Sequence, residues 1–508
     1  MRQLWLLLLV VCAGLQGQAS AQTFNERYDL FGEGKSEFGL GVELMDSNKV
    51  LVLANRDYEL DSLFYSSGVS SLVLDSNFNV LHEFRLHIPE RANYIGWGNS
   101  GGPVDDGGYI IGGSTYAAGD TNRAALYWLD ENGMVANFVE LELPGRSWIG
   151  RQVKQTPDGG YVLCGETSTV GVVDAFLVKT DPTGEVQWVR TYGSSNFREG
   201  FATVEVLDNG DYWLGGGKQI TLSNYDPWVV HTDAVGNVIW QNTYGTLESD
   251  PTNAHLSLGA NGVGLIATSW NAGINDLSRI ALLALDQDGS VQWQRVYGPS
   301  RNTALFVVQE VQPQEDLIAC GFAYVGSQLS GILLRTTAMG DSLWLREYAY
   351  YDDQVMNGKG AFYDVQPTHD GGFIAVGVAL SVAGNYGQDV WVVKTDSMGC
   401  IVPGCHLITG VGTQITNLKD VLRVWPNPAA SGGSIQLEIN LPEGFIAQGA
   451  LRLTVVNSLG QVVHEQPIAP PAGQVSLSFA GRWGSAGLYH LHLSDATRWI
   501  GGTELVVE

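Results

Sequence analysis

The feature that most constrains the fold is a repeat of about 52 residues that recurs along most of the chain. Its clearest copy, residues 158–193, contains three short apolar runs separated by turn sequences rich in Asp and Gly. These runs are too short for helices and lack helical periodicity, so they predict β-strands. One such unit cannot bury both of its faces, and neighbouring copies must complete the core.

Three markers fix the register of the repeat. The first is an Asx-Gly turn before the second strand, whose copies begin at Ser47, Asp106, Asp158, Asn209, Asn261, Glu315 and Asp370. The second is Asp-x-x-Gly, which begins at Asp130, Asp181, Asp233, Asp286 and Asp396, with weaker copies at Asp75 and Thr337. The third is an aromatic residue followed four positions later by Tyr: Trp188 and Tyr192, Trp240 and Tyr244, Trp293 and Tyr297, Trp344 and Tyr348. Turn geometry and packing between units account for these residues without any functional role.

Four strands per unit at this period predict an all-β chain that folds as a seven-bladed β-propeller over residues 22–405, with six or eight blades as alternatives. The seventh unit lacks its fourth strand. Phe24 and Tyr28 have the aromatic-to-Tyr spacing of the third marker. We therefore expect the N-terminal strand to complete the last blade, so that no blade is left short of a strand.

The first 21 residues have the pattern of a secretory signal peptide. Arg2 precedes an apolar run from Leu4 to Leu15, and small residues lead to a cleavage site between Ala21 and Gln22. A lipoprotein anchored at Cys12 is the less favoured alternative, because bulky Val11 stands where a small residue is expected. No other stretch approaches the roughly 20 apolar residues of a membrane span. We expect an exported protein without a transmembrane segment.

The net charge of −26 argues against nucleic acid as a partner, since phosphate backbones attract basic patches. Export would also place the cysteines in a compartment where disulfides can form. Cys400 and Cys405 lie five residues apart and are predicted to form a disulfide. Cys164 and Cys320 occupy equivalent positions of different repeats and are predicted to be buried thiols.

After the repeats the sequence becomes a polar linker, residues 406–420, followed by several short strands over residues 421–508. This pattern predicts a small C-terminal Ig-like β-sandwich. It contains the motifs Val-Trp-Pro-Asn-Pro-Ala from Val424, Val-Asn-Ser-Leu-Gly-Gln from Val456, and Gly-Leu-Tyr-His-Leu-His-Leu from Gly487.

These motifs resemble the type A C-terminal sorting domain of the type IX secretion system of Bacteroidota. The residues that carry the resemblance are Trp425, Pro426, Asn427, Pro428, Gly460, Gly487 and Tyr489. One departure is the last strand, which lacks the lysine common there. The resemblance implies Sec export to the periplasm, passage through the type IX machinery, and release or attachment at the outer-membrane surface. The repeats resemble, more loosely, those of other secreted Bacteroidota proteins.

No catalytic or metal-binding constellation stands out in the sequence. Gly98 to Gly102 reads Gly-Asn-Ser-Gly-Gly, but no His and Asp accompany it as a serine-protease loop would need. His231 occupies the position of Lys179 and Lys394 in sister repeats, and His490 and His492 are predicted to face solvent. A zinc site near the paired cysteines would find only His406.

Calcium is the one cofactor that the sequence leaves open. Oxygen-bearing side chains cluster near Asp75, Asp130 and Asp286, yet each cluster lies at a repeated hairpin, where turn chemistry explains it, and none completes a twelve-residue calcium loop.

Ligand recognition is expected where the repeats differ, in the loops between second and third strands. These loops carry aromatic residues suited to sugars or protein partners: Tyr58, Tyr116, Tyr225, Trp270, Tyr324 and Tyr386.

The sequence favours a non-catalytic binding or scaffold propeller, delivered to the cell surface and contacting a glycan or a surface protein. The alternative is an extracellular carbohydrate-active enzyme, a glycoside hydrolase or lyase, with carboxylates in the channel. Its candidate residues on first strands are Glu205, Glu310 and Asp364.

Overall fold

The structure of the chain is a computed structural model. It describes residues 23–508 except 31–35, 46–48, 61–63, 87, 89–90, 118, 170–171, 195–196, 223, 246–253, 260–261, 272–276, 326–327, 352–358, 381–386, 408–413, 419, 442–444, 469–474 and 481–484. The predicted signal peptide and its cleavage site at Ala21 and Gln22 lie outside this range.

The repeats form seven antiparallel sheets, which are the blades of a propeller. The strands of blades one to three are β1 Phe24–Tyr28 (which belongs to blade seven), β2 Glu37–Met45, β3 Lys49–Leu60, β4 Phe64–Leu74, β5 Val80–Leu86, β6 Ala92–Ile95, β7 Gly101–Pro103, β8 Tyr109–Tyr116, β9 Arg123–Leu129, β10 Val135–Glu140, β11 Ser147–Gln155, β12 Tyr161–Thr169, β13 Val172–Thr180 and β14 Val186–Tyr192.

The strands of blades four to seven are β15 Glu199–Val206, β16 Tyr212–Thr221, β17 Asn224–Thr232, β18 Val238–Thr243, β19 His255–Leu258, β20 Gly264–Asn271, β21 Ser278–Leu285, β22 Val291–Arg301, β23 Thr303–Val311, β24 Asp316–Val325, β25 Gln328–Thr336, β26 Ser342–Tyr351, β27 Gly360–Pro367, β28 Phe373–Leu380 and β29 Gln388–Thr395. The first strand of each blade lies innermost. The turns after first and third strands open on one side of the ring, the turn face, and the remaining loops open on the opposite side, the loop face.

The ring closes through the N-terminal strand. β1 pairs antiparallel with β29, so that the seventh blade has the order β1-β29-β28-β27. Tyr28 donates its hydroxyl hydrogen to the carbonyl of Phe78 in blade one (2.9 Å), and Phe24 stacks on the Phe78 ring. The two ends of the propeller are therefore joined by backbone pairing and by side chains.

The repeated Tyr residues hold successive blades together. The hydroxyls of Tyr192, Tyr244, Tyr297 and Tyr348 donate to the carbonyls of turn glycines in the next blade, at 2.7–2.8 Å. The Trp four residues earlier packs over the same glycine: a Cβ on Gly340 would lie 2.6 Å from Trp293. This close approach, together with a φ of 78°, explains why glycine is required in that turn.

The C-terminal residues form a sandwich. Its strands are β30 Gln414–Leu418, β31 Leu422–Trp425, β32 Ser434–Ile439, β33 Leu451–Asn457, β34 Val462–Ile468, β35 Val475–Ala480, β36 Gly487–Ser494 and β37 Arg498–Val507. The order β31-β32-β35 makes one sheet, and β30-β37-β36-β33-β34 makes the other. A cluster of buried Leu, Ile and Val side chains fills the space between them.

The sandwich is attached directly to the propeller. β30, within the segment that the sequence predicts as a linker, pairs in parallel with β26 of blade six and with β37. Val456 and Trp499 of the sandwich belong to the same buried cluster as Cys400 and Cys405. The segment is therefore a structural bridge. Within the described residues, no helix has the length and apolar character needed to cross a bilayer.

The prediction that His490 and His492 face solvent is wrong. Both side chains are buried, because the face of β36 that carries them covers the end of the propeller. His492 accepts a hydrogen bond at Nδ1 from the indole of Trp499 (3.1 Å), and Gly404 of the Cys400–Cys405 loop packs beside its Nε2.

Candidate functional site

Within the described residues, five of the seven innermost strands contain a β-bulge, and in three of them the residue after the bulge is polar. Register shifts occur at the same place in five blades: Gly39/Gly41, Gly150/Gln152, Phe201/Thr203, Leu305/Val307 and Phe362/Asp364. Such bulges redirect side chains and are common beside functional sites.

The side chain that follows the bulge ties one blade to the next. Asp364 Oδ2 accepts the backbone N–H of Val42 at 2.9 Å, Gln152 Oε1 accepts that of Val204 at 2.6 Å, and Thr203 Oγ1 accepts that of Leu256 at 3.0 Å. Asp364 also accepts the N–H of Val365. These bonds fix the orientation of the Asp364 carboxylate beside the inner strand of blade one.

Three charged side chains lie close to the turn face of the channel. Glu43, Lys154 and Glu205 each stand two residues beyond the post-bulge position of blades one, three and four. Lys154 Nζ lies 3.4 Å from Glu205 Oε1. With Asp364, they form a group of three carboxyl groups around one ammonium, which we name the channel cluster.

Burial sets the protonation of the channel cluster. It raises the pKa of Glu43 to about 8, helped by the neighbouring Asp364 carboxylate and opposed by Lys154. Burial likewise raises the pKa of Asp364 to about 7, against the hydrogen bonds from Val42 and Val365 and the charge of Lys154. The pKa of Glu205 is raised by burial and held down by Lys154. At neutral pH the cluster therefore includes a carboxylic acid that can donate a proton.

A loop of blade two closes the channel toward the loop face. The inner strand of that blade is split into β6 and β7, and residues 96–100 between them extend across the ring. A Cβ on Gly98 would lie 2.8 Å from the carbonyl oxygen of Tyr363 in blade seven and 3.5 Å from Val307 in blade six. The Gly-Asn-Ser-Gly-Gly sequence is thus a plug, and the channel cluster is approached from the turn face.

A small cavity lies under the plug, between Gln152, Glu205 and His255. Its volume of ≈ 20 Å³ is room for about one water molecule. His255 packs edge-on against Phe306, and burial lowers the pKa of His255 to about 4, with Arg151 adding to the effect. This imidazole is neutral at physiological pH.

Two of the three carboxylates predicted from the sequence, Glu205 and Asp364, belong to the channel cluster, and Glu310 does not. Side chains alternate along a strand. Gln309 occupies the position equivalent to Glu205, so Glu310 points the other way, toward Gly259 of blade five. Glu43 and Lys154 are not among the site residues predicted from the sequence. An alignment of the inner strands of the repeats nevertheless places both at the same position as Glu205.

The predicted aromatic platform is only partly at the surface. Tyr116 and Tyr324 are 41% and 37% exposed, and Tyr225 is half-buried. Trp270 is buried in the core between blades four and five, so its prediction as a surface residue is wrong. The side chains of Tyr58 and Tyr386 lie outside the described residues. Trp97 of the plug, which the prediction omitted, is 49% exposed and packs edge-on against Tyr363.

The aspartates considered for calcium are engaged in turns. Asp75 Oδ1 accepts the N–H groups of Asn77 and Asn79, and Asp130 Oδ1 accepts those of Asn132 and Met134. Hydrogen bonds from Asn79 hold the pKa of the Asp75 carboxyl below its usual range. Asp286 Oδ2 accepts from the hydroxyl of Ser290. These bonds are the turn chemistry that the repeat predicts.

A separate acidic group joins Asp29, Glu37 and Asp389, whose carboxylate oxygens lie within 4.8 Å of one another. Arg27 Nη1 lies 2.6 Å from Asp389 Oδ2 and supplies a positive charge there. Among the cysteines, Cys400 and Cys405 form a disulfide, while Cys164 and Cys320 are buried free thiols.

The sequence matches no protein-family model, and no curated protein matches it. Solved structures with a similar fold include a point mutant of the NanB sialidase of Streptococcus pneumoniae, at 10% identity, a TM-score of 0.38, and coverage of 74% of this chain and 68% of that one. Another is the α-L-arabinanase of Penicillium chrysogenum with arabinobiose, at 11% identity, a TM-score of 0.39, and coverage of 74% and 97%. A third is an α-L-arabinofuranosidase of Clostridium thermocellum, at 9% identity, a TM-score of 0.31, and coverage of 52% and 95%.

These comparisons correct the expectation of a non-catalytic binding or scaffold protein. The similar solved structures bear the names of a sialidase, an arabinanase and an arabinofuranosidase. With identities near 10% and TM-scores of 0.31 to 0.39, the likeness assigns no activity to this chain.

Proposed function

We propose that the protein is an extracellular carbohydrate-active enzyme that hydrolyses glycosidic bonds at the turn-face end of its channel. The observation that carries the proposal is the channel cluster: three inner-strand carboxyl groups with raised pKa values around Lys154. Glycosidic hydrolysis needs one protonated and one ionised carboxyl group on either side of the bond. Raised carboxyl pKa values in a cleft are typical of acid–base sites.

The roles follow from the surroundings of each group. Glu43, with a pKa of about 8, keeps its proton at neutral pH and donates it to the glycosidic oxygen as the bond to the anomeric carbon breaks. Glu205, whose ionised form is stabilised by the ammonium of Lys154 3.4 Å away, accepts a proton from the attacking water. The hydroxide equivalent bonds to the anomeric carbon, and proton exchange with solvent restores both carboxyl groups.

Asp364 has a positioning role in this scheme. Its bonds to the N–H groups of Val42 and Val365 fix it next to Glu43, and its negative charge raises the pKa of Glu43. Loss of that charge would make Glu43 a stronger acid that is deprotonated at a lower pH.

The proposal is tested with the purified full chain and a panel of aryl glycosides and polysaccharides. Turnover of at least one substrate is expected, with Glu43→Gln and Glu205→Gln each lowering kcat by about 100-fold or more. Glu310→Gln is the matched control, since it changes a carboxylate on the same kind of strand that points away from the channel. Absence of turnover across the panel, or equal activity of all variants, would refute the assignment.

We further propose that residues 421–508 deliver the protein to the outer-membrane surface through the periplasm. The support is the resemblance of the three motifs to a type IX sorting domain, which implies the Sec and type IX machineries as partners. In the sandwich, Asn427 bonds to the backbone of Glu504 and Val506 at 2.8 and 2.9 Å and so ties the first motif to the last strand. Asn427→Ala and deletion of 421–508 should each leave the protein in the periplasm of a type IX-competent host; normal surface delivery of the deletion would refute the proposal.

A further inference from the structure

A groove on the turn face separates blades four and five. Its lining includes Leu207, Asp208, Trp213, Gly262 and Gln287, and its volume is ≈ 640 Å³. This volume lies within the range of about 300–1,000 Å³ that small-molecule sites occupy. A shallower extension continues over Asp286 and Asp288 and shares Gly262 and Gln287 with the groove. We name the whole depression the blade 4–5 groove.

One repeat departs from the others beside the groove. In three blades the second strand begins with an aromatic side chain that packs on a Trp of the preceding blade. Tyr161 meets Trp128 at 5.6 Å between ring centroids, Tyr212 meets Trp188 at 6.3 Å, and Phe373 meets Trp344 at 5.7 Å. In blade five that position is Gly264. The ring of Trp213 takes part of the space instead, since a Cβ on Gly264 would lie 2.1 Å from it. The Trp213 ring, which packs edge-on against Trp240, is also one wall of the groove.

The groove adjoins the channel cluster. Leu207 at its inner end is two residues beyond Glu205 on the same strand-and-turn segment. A ligand chain held in the groove would therefore have its end at the turn-face mouth of the channel.

The charges and donors of the groove indicate what it can bind. Asp208, Asp286 and Asp288 supply carboxylates, and no Lys or Arg is among the described residues that line either part. The indole N–H of Trp213, fully buried at the floor, has no hydrogen-bond partner in the described part of the chain. Carboxylates and amides accept and donate to hydroxyls, while an anionic ligand would be repelled.

We propose that the blade 4–5 groove binds uncharged sugar residues of an oligosaccharide whose scissile bond lies at the channel cluster. The inference rests on the proposed hydrolysis and adds a substrate class: a neutral glycan of several residues, in preference to a uronate-rich or sialylated one.

Binding is measured by calorimetry on the full chain carrying Glu43→Gln, so that turnover does not interfere. The probes are uncharged hexasaccharides derived from arabinan, xylan and β-glucan, together with hexagalacturonate of equal length and a glucosamine hexamer as the cationic case. At least one uncharged hexasaccharide should bind. Asp208→Ala and Gln287→Ala should each weaken that binding by about tenfold, as expected for a lost hydrogen bond to a buried or charged group.

Asp105→Ala is the matched control, because Asp105 holds the place of Asp208 in blade two and is exposed. It should leave binding unchanged. Gly264→Tyr introduces the tyrosine that Tyr212 provides at the same position of blade four. If its thermal midpoint shows that the variant is folded, binding should be abolished. If the variant does not fold, the results for Asp208→Ala and Gln287→Ala decide whether the groove is the binding site.

Three outcomes would overturn the inference. Hexagalacturonate could bind as tightly as the uncharged hexasaccharides, or the glucosamine hexamer could be the one probe that binds. The third outcome is that Asp208→Ala and Gln287→Ala leave the binding unchanged. Its failure is distinct from failure of the proposed hydrolysis. If aryl glycosides are cleaved but the groove variants do not raise KM for a hexasaccharide, only the groove assignment fails. If no glycoside is cleaved but the groove variants weaken binding, the groove stands as a neutral-glycan site and the hydrolysis fails.

Discussion

Lys154 and Glu205 face each other across the gap between blades three and four, with Nζ and Oε1 3.4 Å apart. The same ammonium lowers the pKa values of Glu43 and Asp364, which belong to blades one and seven. One cation therefore influences the protonation of carboxyl groups from three strands that are distant in sequence.

Replacing Lys154 by methionine keeps much of the length of the side chain and removes its charge. The carboxyl pKa values should then rise, because the charge that favours their ionised forms is gone. We expect the acidic limb of the kcat/KM profile on an aryl glycoside to move up by about one pH unit. Lys179→Met is the control, since Lys179 pairs with Asp158 at a turn outside the channel. An acidic limb that stays in place would contradict the role of Lys154.

Glu43→Gln should change how stability depends on pH. The folded pKa of Glu43, about 8, lies above its ordinary value of 4.5, so the folded state holds the proton more tightly than the unfolded chain. The stability linked to this group is fully present below pH 4.5 and is lost as pH rises through 8. Thermal midpoints of the wild type and Glu43→Gln should agree near pH 5, and the variant should unfold about 2–6 °C higher at pH 9. A constant difference at both pH values would show that Glu43 is not buried in this way.

Gly340→Ala tests the contact between a Trp and the turn glycine of the next blade. Gly340 has a φ of 78° and leaves only 2.6 Å between an added Cβ and Trp293. Gly107 has a similar φ of 84° and nothing within 4 Å of an added Cβ. Both alanine variants incur the cost of a left-handed backbone, about 1 kcal/mol, and Gly340→Ala should lose a further 1–3 kcal/mol from overpacking. Equal losses in denaturant unfolding would mean that the Trp moves aside freely.

The sequence predicts the ring well because its determinants are local and repeated. Turn glycines, the Trp and Tyr spacing and alternating strands recur in each copy, so the fold class follows from aligning copies. The closing strand could be predicted for the same reason, since Phe24 and Tyr28 repeat the spacing of Trp188 and Tyr192. Cys400 and Cys405 were close enough in sequence to be paired.

The channel cluster could be predicted only in part, because it forms between residues of different repeats. Glu205 and Asp364 were visible as carboxylates on first strands, but a pattern within one strand does not show that Lys154 and Glu43 reach the same space. The prediction for Glu310 is wrong by one residue along the strand. A shift of one residue moves a side chain to the opposite side of the strand. The burial of His490 and His492 depends on the propeller end that covers β36, a tertiary contact with no signal in the strand itself.

His492 should make stability sensitive to acid. Burial lowers its pKa to about 3, and the neighbouring His490 adds to the effect, so the folded state holds the neutral imidazole. A depressed histidine pKa gives stability that is present above the unfolded value of 6.5 and is lost as pH falls toward 3. His492→Gln should therefore reduce the drop in thermal midpoint between pH 7 and pH 4 by about 2–4 °C relative to wild type.

The drop between the two pH values is measured within each protein, because the His492→Gln variant also alters the bond to Trp499 at every pH. His82→Gln, at an exposed position on β5, should leave the drop unchanged; an equal drop in wild type and His492→Gln would mean that His492 gains a proton without disturbing the contact between sandwich and propeller.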